Sequence, residues 1–181
     1  MDALGMIEIN SVAAGIEAGD AMLKTAGVTL VNAQPVCAGK YIVTVQGAVA
    51  EVTSSVNAGK ESAGDSLVDS FIIPNVHPQV FSALACASDI DVDNAVGVIE
   101  TFSLSACVVA ADAAVKAAEV DLLEIRLGMG LGGKSFVILS GDVSAVRHSV
   151  ESAESSIGIE GLVVRTVVIP SPHKDIVKAL I

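Results

Sequence analysis

Polar and apolar positions along this chain run through one series of periods, and then run through it again. In the first pass Leu4 to Ile9 alternates weakly, with Ile7 and Ile9 on one side, and predicts a strand. Ser11 is placed to cap a helix reaching about Ala26, with Gly27 as its C′ stop. Val12, Ile16 and Leu23 recur at helical spacing and predict the inward face of that helix, leaving Glu17, Asp20 and Lys24 outside. Thr29 to Val36 and Tyr41 to Val45 are β-branched runs around the short turn Cys37-Ala38-Gly39-Lys40, which reads as a hairpin. Ala48 to about Gly59 predicts a second helix, and Leu67 to Ile73 a last strand stopped by Pro74, with a short helix after it.

The second pass repeats the first in letters as well as period. Gly5-Met6-Ile7-Glu8 returns as Gly97-Val98-Ile99-Glu100, and Ala18-Gly19-Asp20-Ala21-Met22-Leu23-Lys24 as Ala110-Ala111-Asp112-Ala113-Ala114-Val115-Lys116. Gly39-Lys40 returns as Gly133-Lys134, and Ile73-Pro74 with His77 as Ile169-Pro170 with His173. The offset grows from 92 to 94 to 96, as small loop insertions would make it. We read a duplicated domain: 1–84, an acidic linker 85–94, and 95–181. The fold class is α/β in the α+β sense: two tandem βαββαβ, ferredoxin-like copies, each a four-stranded antiparallel sheet with helices on one face. Asp20 with Lys24 and Asp112 with Lys116 are acid-before-base pairs four apart, each worth ~0.3 kcal/mol on an exposed helix.

Composition narrows the function. The 181 residues are 52% hydrophobic and 3% aromatic, so the core is built from Ala, Val, Ile and Leu. Mean hydropathy is +0.67, yet charges and turn signals interrupt every long apolar run, Ser105 to Val120 carrying Asp112, Lys116 and Glu119. The excess apolar surface is expected inside the fold and between subunits. A net charge of −11 argues against nucleic acid and against anionic membranes as partners. The N-terminal residues lack the basic region of a signal peptide, so the chain is expected in the cytosol, with Cys37, Cys86 and Cys107 reduced.

Candidate chemistry is sparse, and no residue set reads as catalytic. Gly128 to Ser135 matches the phosphate-binding pattern G-x-x-x-x-G-K-S, but Phe136 to Leu139 reads as a strand where that loop must open a helix. A glycine-rich hairpin turn is the reading. Asp89, Asp91, Asp93 and Glu100 fall at calcium-loop spacing, but Asn94 replaces the required glycine and Glu100 sits in a strand, so the acids read as a solvated linker. His77 and His173 read as turn residues, His148 as a surface residue, and Cys86 and Cys107 as small core residues. Cys37 differs, since it sits at a hairpin tip between Pro35 and Gly39. It is either a tolerated loop thiol or, if three chains bring their tips to one axis, a soft-ligand set for an iron–sulfur cluster or zinc.

Together the Gly-x-Ile-Glu, Ala-x-Asp-Ala-x-x-Lys, Gly-Lys and Ile-Pro-x-x-His elements, each present twice, resemble the bacterial microcompartment shell domain. The double copy resembles the tandem-domain shell proteins, and the turn Val36 to Lys40 most resembles the T-type group of propanediol-utilisation compartments. The resemblance implies a homotrimeric, pseudohexameric tile in the shell of a cytoplasmic microcompartment, meeting other shell proteins and encapsulated redox enzymes. It implies a pore lined by Val36, Cys37, Ala38 and Gly39 of the first copy and Met129, Gly130 and Leu131 of the second. One Cys37 from each of three subunits would hold one [4Fe–4S] cluster per trimer, for electron transfer across the shell, with a non-protein ligand on the fourth iron. Lys24 and Lys116 would lie at the tile edge, where Asn75 and Ser171 depart from the arginine common in the family. The alternative is a small-molecule-binding or regulatory α/β oligomer without a cluster.

Overall fold

The computed structural model describes residues 2–85, 94–157 and 162–180. The chain forms two compact units, residues 1–76 with 129–133, and residues 77–128 with 134–181.

The first unit holds β1 (Ala3–Ile9), α1 (Val12–Thr25), β2 (Thr29–Val36), β3 (Lys40–Gly47), α2 (Val49–Ala63) and β4 (Leu67–Ile73). Its four strands form one antiparallel sheet in the order β2-β3-β1-β4. The second unit begins with α3 (Pro78–Leu84), then repeats the series as β5 (Ala95–Thr101), α4 (Leu104–Ala117), β6 (Val120–Leu127), β7 (Ser135–Gly141), α5 (Val143–Ile157), β8 (Val163–Ile169) and α6 (Lys174–Leu180). Its sheet has the matching order β6-β7-β5-β8. The expected βαββαβ arrangement and the antiparallel sheets are therefore present in both copies.

Local chemistry explains the elements. Ser11 caps α1 by accepting from the Ala14 amide at 3.3 Å, and Ser103 caps α4 by accepting from the Ala106 amide at the same distance. All seven residues of β1 are buried, as befits the strand inside a four-stranded sheet. The core of the first unit joins Ile7 and Ile9 to Ala18 and Met22 of α1 and to Val52 and Val56 of α2. The repeated glycine of Gly-x-Ile-Glu lets the second helix of each copy come close. A Cβ on Gly5 would lie 2.6 Å from Val52 Cγ1 and Val56 Cγ2 of α2, and one on Gly97 3.0 Å from Val146 Cγ1 and Val150 Cγ2 of α5.

Two expectations for α1 are corrected. Its inward face is Gly15, Ala18, Gly19 and Met22, whereas Val12, Ile16 and Leu23 are exposed. The cause is distance: the Tyr41 ring lies so close that a Cβ on Gly15 would be 2.6 Å from its Cδ1. Only small residues fit there, so the large apolar ones turn outward. Nor does Gly27 stop the helix as a left-handed C′ residue. The chain leaves through Ala26 in an extended conformation, and the Gly27 amide donates to Glu51 Oε2 at 2.8 Å.

Candidate functional site

The β2–β3 hairpin places Cys37 at its tip, between Val36, which is buried, and Ala38 and Gly39, which are exposed. The Cys37–Ala38 peptide is cis, and Gly39 takes a φ of +76°, a conformation glycine adopts without cost. Cys37 as a residue is partly exposed, with its sulfur on the open side of the tip. The glycine-rich segment 129–133 belongs to the same compact unit and meets this tip. Gly130, Gly132 and Gly133 all have positive φ, which turns successive backbone N–H groups toward one side. The Gly130 amide donates to Cys37 Sγ at 3.1 Å. This bond and the amides of Leu131, Gly132 and Gly133 hold the Cys37 thiol below its ordinary pKa, favouring thiolate.

Together the two loops line an open, shallow hollow of about 350 Å³ bounded by Pro35, Val36, Cys37, Ala38, Gly39, Met129 and Gly130. Six of the seven residues expected at a pore therefore line one hollow; Leu131 stays half-buried beside it. The chemistry available here is a soft anionic sulfur at the surface, steadied by amide donors. Among the described residues, no group of three His, Cys, Asp or Glu side chains could hold a metal ion within one chain.

The second thiol has the opposite character. Cys107 is fully buried in α4, and burial pushes its pKa up to about 12. It is a core residue, as expected. Cys86 and the acids Asp89, Asp91 and Asp93 lie outside the described residues.

The glycine-rich segment leads into β7, so Lys134 does not open a helix. Its ammonium instead pairs with the Glu100 carboxylate, and Lys40 pairs with Glu8 at 2.6 Å. This repeated pair joins a hairpin to the first strand of its copy, and Glu8 is 5% exposed. The sequence reading missed it. The signal was there: the repeated Glu and Lys are 32 apart in one copy and 34 in the other, differing by the loop insertion.

His77 caps α3, its Nδ1 accepting from the Gln79 amide at 3.4 Å, and His173 accepts in the same way from Asp175 at 3.2 Å. His148 is exposed on α5. Lys24 and Lys116 form the foreseen pairs with Asp20 and Asp112, both at 2.5 Å. Asn75 occupies a left-handed turn with φ 53°, which Asn tolerates better than most residues, and Ser171 is exposed. Among the described residues, no helix is long and apolar enough to cross a membrane.

Comparison with known proteins places this geometry in a family. A family profile described as BMC domain matches residues 3–76 and again 95–172. The bacterial microcompartment shell protein PduT of Citrobacter freundii is 42% identical over 179 residues, 99% of this chain and 97% of that protein. The carboxysome shell protein CsoS1C of Halothiobacillus neapolitanus is 43% identical over 90 residues, covering 48% of this chain and 92% of its own length. A crystal structure of a microcompartment protein from Desulfitobacterium hafniense superposes with a TM-score of 0.95 at 53% identity, over 98% of this chain and 99% of that one. Two matched domains, two like sheets and a near full-length relative agree that the chain belongs to the BMC domain family, as a tandem-domain shell protein of a bacterial microcompartment.

Proposed function

We propose that three copies of this chain close into a pseudohexameric tile of a cytoplasmic microcompartment shell, with the three Cys37 thiolates converging at its centre on one [4Fe–4S] cluster. The observation that carries the reading is the Cys37 sulfur itself. It sits at a loop tip, receives the Gly130 N–H at 3.1 Å, and is favoured as thiolate, the form that ligates iron. The donor set fits in kind and is short in number, since one chain offers one sulfur at this hollow. Threefold assembly would supply the other two, and a non-protein ligand the fourth.

When bound, such a cluster supplies one-electron redox chemistry. The chain's own residues do the rest. Cys37 binds, the amides of 130–133 donate toward sulfur, and Val36 and Met129 supply apolar cover on either side. The role that follows is electron passage across the shell, or delivery of the cluster to an encapsulated redox enzyme, with no turnover by the tile. Neighbours in the shell would be other shell proteins, met along the edges that carry Lys24 and Lys116.

The test is anaerobic purification followed by iron, sulfide and mass determination. The expected result is a three-chain particle with about four iron and four sulfide per trimer. Cys37→Ser should lose both while the mass is kept. Retention of the iron by that variant, or a wild-type trimer without iron after anaerobic reconstitution, would refute the cluster.

A further inference from the structure

Acids outnumber bases in this chain by 21 to 10, and most of its lysines are neutralised. Lys24, Lys40, Lys116 and Lys134 each have a carboxylate partner. Among the described residues Lys174 and Lys178 have none, and both are exposed. They stand one turn apart on α6 and line the same hollow, of about 420 Å³. Pro170 and Pro172, which follow β8, and Val177 give this hollow apolar surface, with Ser171 and Asn94 beside them. Asp175, the acid between the two lysines in sequence, lies 3.6 Å from His173 Nδ1 instead.

The corresponding place in the first copy is tied by a backbone bond. There the Val76 amide donates to the Asp2 carbonyl at 2.9 Å, and Val76 is buried. Pro172 stands where Val76 stands, and it has no N–H to give to Asn94, the counterpart of Asp2. Val177 stands where Phe81 stands and is smaller. Pro78 and Ser82 stand where the two lysines stand, so those positions carry no charge in the first copy. The second copy has thus lost a tie, lost bulk and gained two cations around one space.

We propose that this hollow binds a phosphate monoester. The phosphate, close to a dianion at neutral pH, lies between the Lys174 and Lys178 ammonium groups, with the Ser171 hydroxyl as a further donor. The organic part lies against Pro170, Pro172 and Val177. Like charges four residues apart on a helix repel, and one dianion relieves both where a monoanion relieves one. The Asn94 amide is held by Asp142 Oδ1 at 3.4 Å and takes no part. Every one of these residues belongs to the second unit, so the site needs neither the tile nor Cys37.

Calorimetric titration of the wild-type protein with phenyl phosphate, benzoate and phenol tests the assignment. Phenyl phosphate should bind at one site per chain, and more weakly as salt rises. Benzoate, with a single charge, should bind at least about tenfold more weakly, and phenol not measurably. Lys174→Gln and Lys178→Gln should each weaken phenyl phosphate roughly tenfold, the loss of one charge-assisted contact. Both side chains are exposed, so circular dichroism of these variants is expected to match wild type. Lys60→Gln, which removes an exposed cation of α2, should leave binding unchanged. Val177→Phe restores the side chain of the first copy and should block binding with both charges kept. A wild type that binds no phenyl phosphate overturns the site. So does full binding by the Lys174→Gln, Lys178→Gln double variant or by Val177→Phe, or an equal loss in Lys60→Gln. Benzoate binding as tightly as phenyl phosphate overturns the choice of a phosphate. Each of these failures leaves the tile and its cluster standing, since iron content and assembled mass are read separately.

Discussion

Alkylation of the reduced, metal-free protein should separate its thiols by orders of magnitude. Iodoacetamide attacks thiolate, so the rate follows the thiolate fraction and access to the sulfur. Cys107 has its pKa pushed up to about 12 by burial, so at pH 8 about one thiol in ten thousand is ionised. A thiol at the ordinary value of 9.0 has about one in ten ionised at that pH. Ionisation alone therefore slows Cys107 by about a thousandfold, before the opening of α4 needed to reach it is counted. Cys37 moves the other way, because the Gly130 to Gly133 amides stabilise its anion. Its ionised fraction at pH 8 is therefore above that of an ordinary thiol. Peptide-resolved mass spectrometry over a pH series measures each cysteine separately. Cys37 should react at least about a thousand times faster than Cys107, with a midpoint below 9.0. Comparable rates, or a Cys37 midpoint at or above 9.0, would refute the argument that the glycine-rich loop prepares this sulfur for ligation.

Further outcomes follow from other contacts. Gly5→Ala drives a methyl into Val52 and Val56 at 2.6 Å and should cost about 1–3 kcal/mol by denaturant titration, whereas a neutral result would show that α2 can retreat. Lys40→Ala leaves the buried Glu8 carboxylate unpaired and should cost about 3 kcal/mol, most of it recovered in Glu8→Gln with Lys40→Met. Cys107 binds its proton more tightly folded than unfolded, so its contribution is whole below pH 9 and lost as pH rises toward 12. The alkaline stability of wild type should then fall more steeply than that of Cys107→Ala, with equal slopes ruling out a buried thiol. Asp112→Ala should cost about 1–2 kcal/mol by freeing the His77 amide, while Asp20→Ala loses only the exposed pair to Lys24 and should shift the unfolding of a dilute single chain by no more than about 0.3 kcal/mol.

Much of the fold was written in the β-branched runs. Thr29–Val36 and Leu67–Ile73 were read with the bounds they have, because turn residues close them at both ends. The inward face of α1 was not legible. Periodicity assigns large apolar side chains to the core, but Gly15 meets the Tyr41 ring at a distance that excludes a side chain, and Gly19 meets Val43 closely enough that even a methyl would be tight. Leu104 and Val108 of α4 do obey the expectation, because α3 covers them. At the site, the turn around Cys37 and the loop of Gly128 to Gly133 were each legible as loops, and family resemblance placed both at a pore. The bond from Gly130 to Cys37 spans 93 residues, and no local pattern announces a contact of that range. The Glu8–Lys40 pair was hidden for the same reason, although duplication preserved both partners.

The unequal hairpin tips of the two copies have a consequence for how such a site can evolve. A shell protein with a single domain must repeat whatever it places at that tip in every subunit, so a thiol and the amides that steady it compete for one stretch of chain. Here the sister loops have parted. One keeps three residues, Cys37 to Gly39, between its strands, with sulfur on the first, and the other has lengthened by two residues to Met129–Gly133 and shed side chains for glycine. Each can drift without disturbing the other's task, a division of labour open only to a chain that carries its own duplicate.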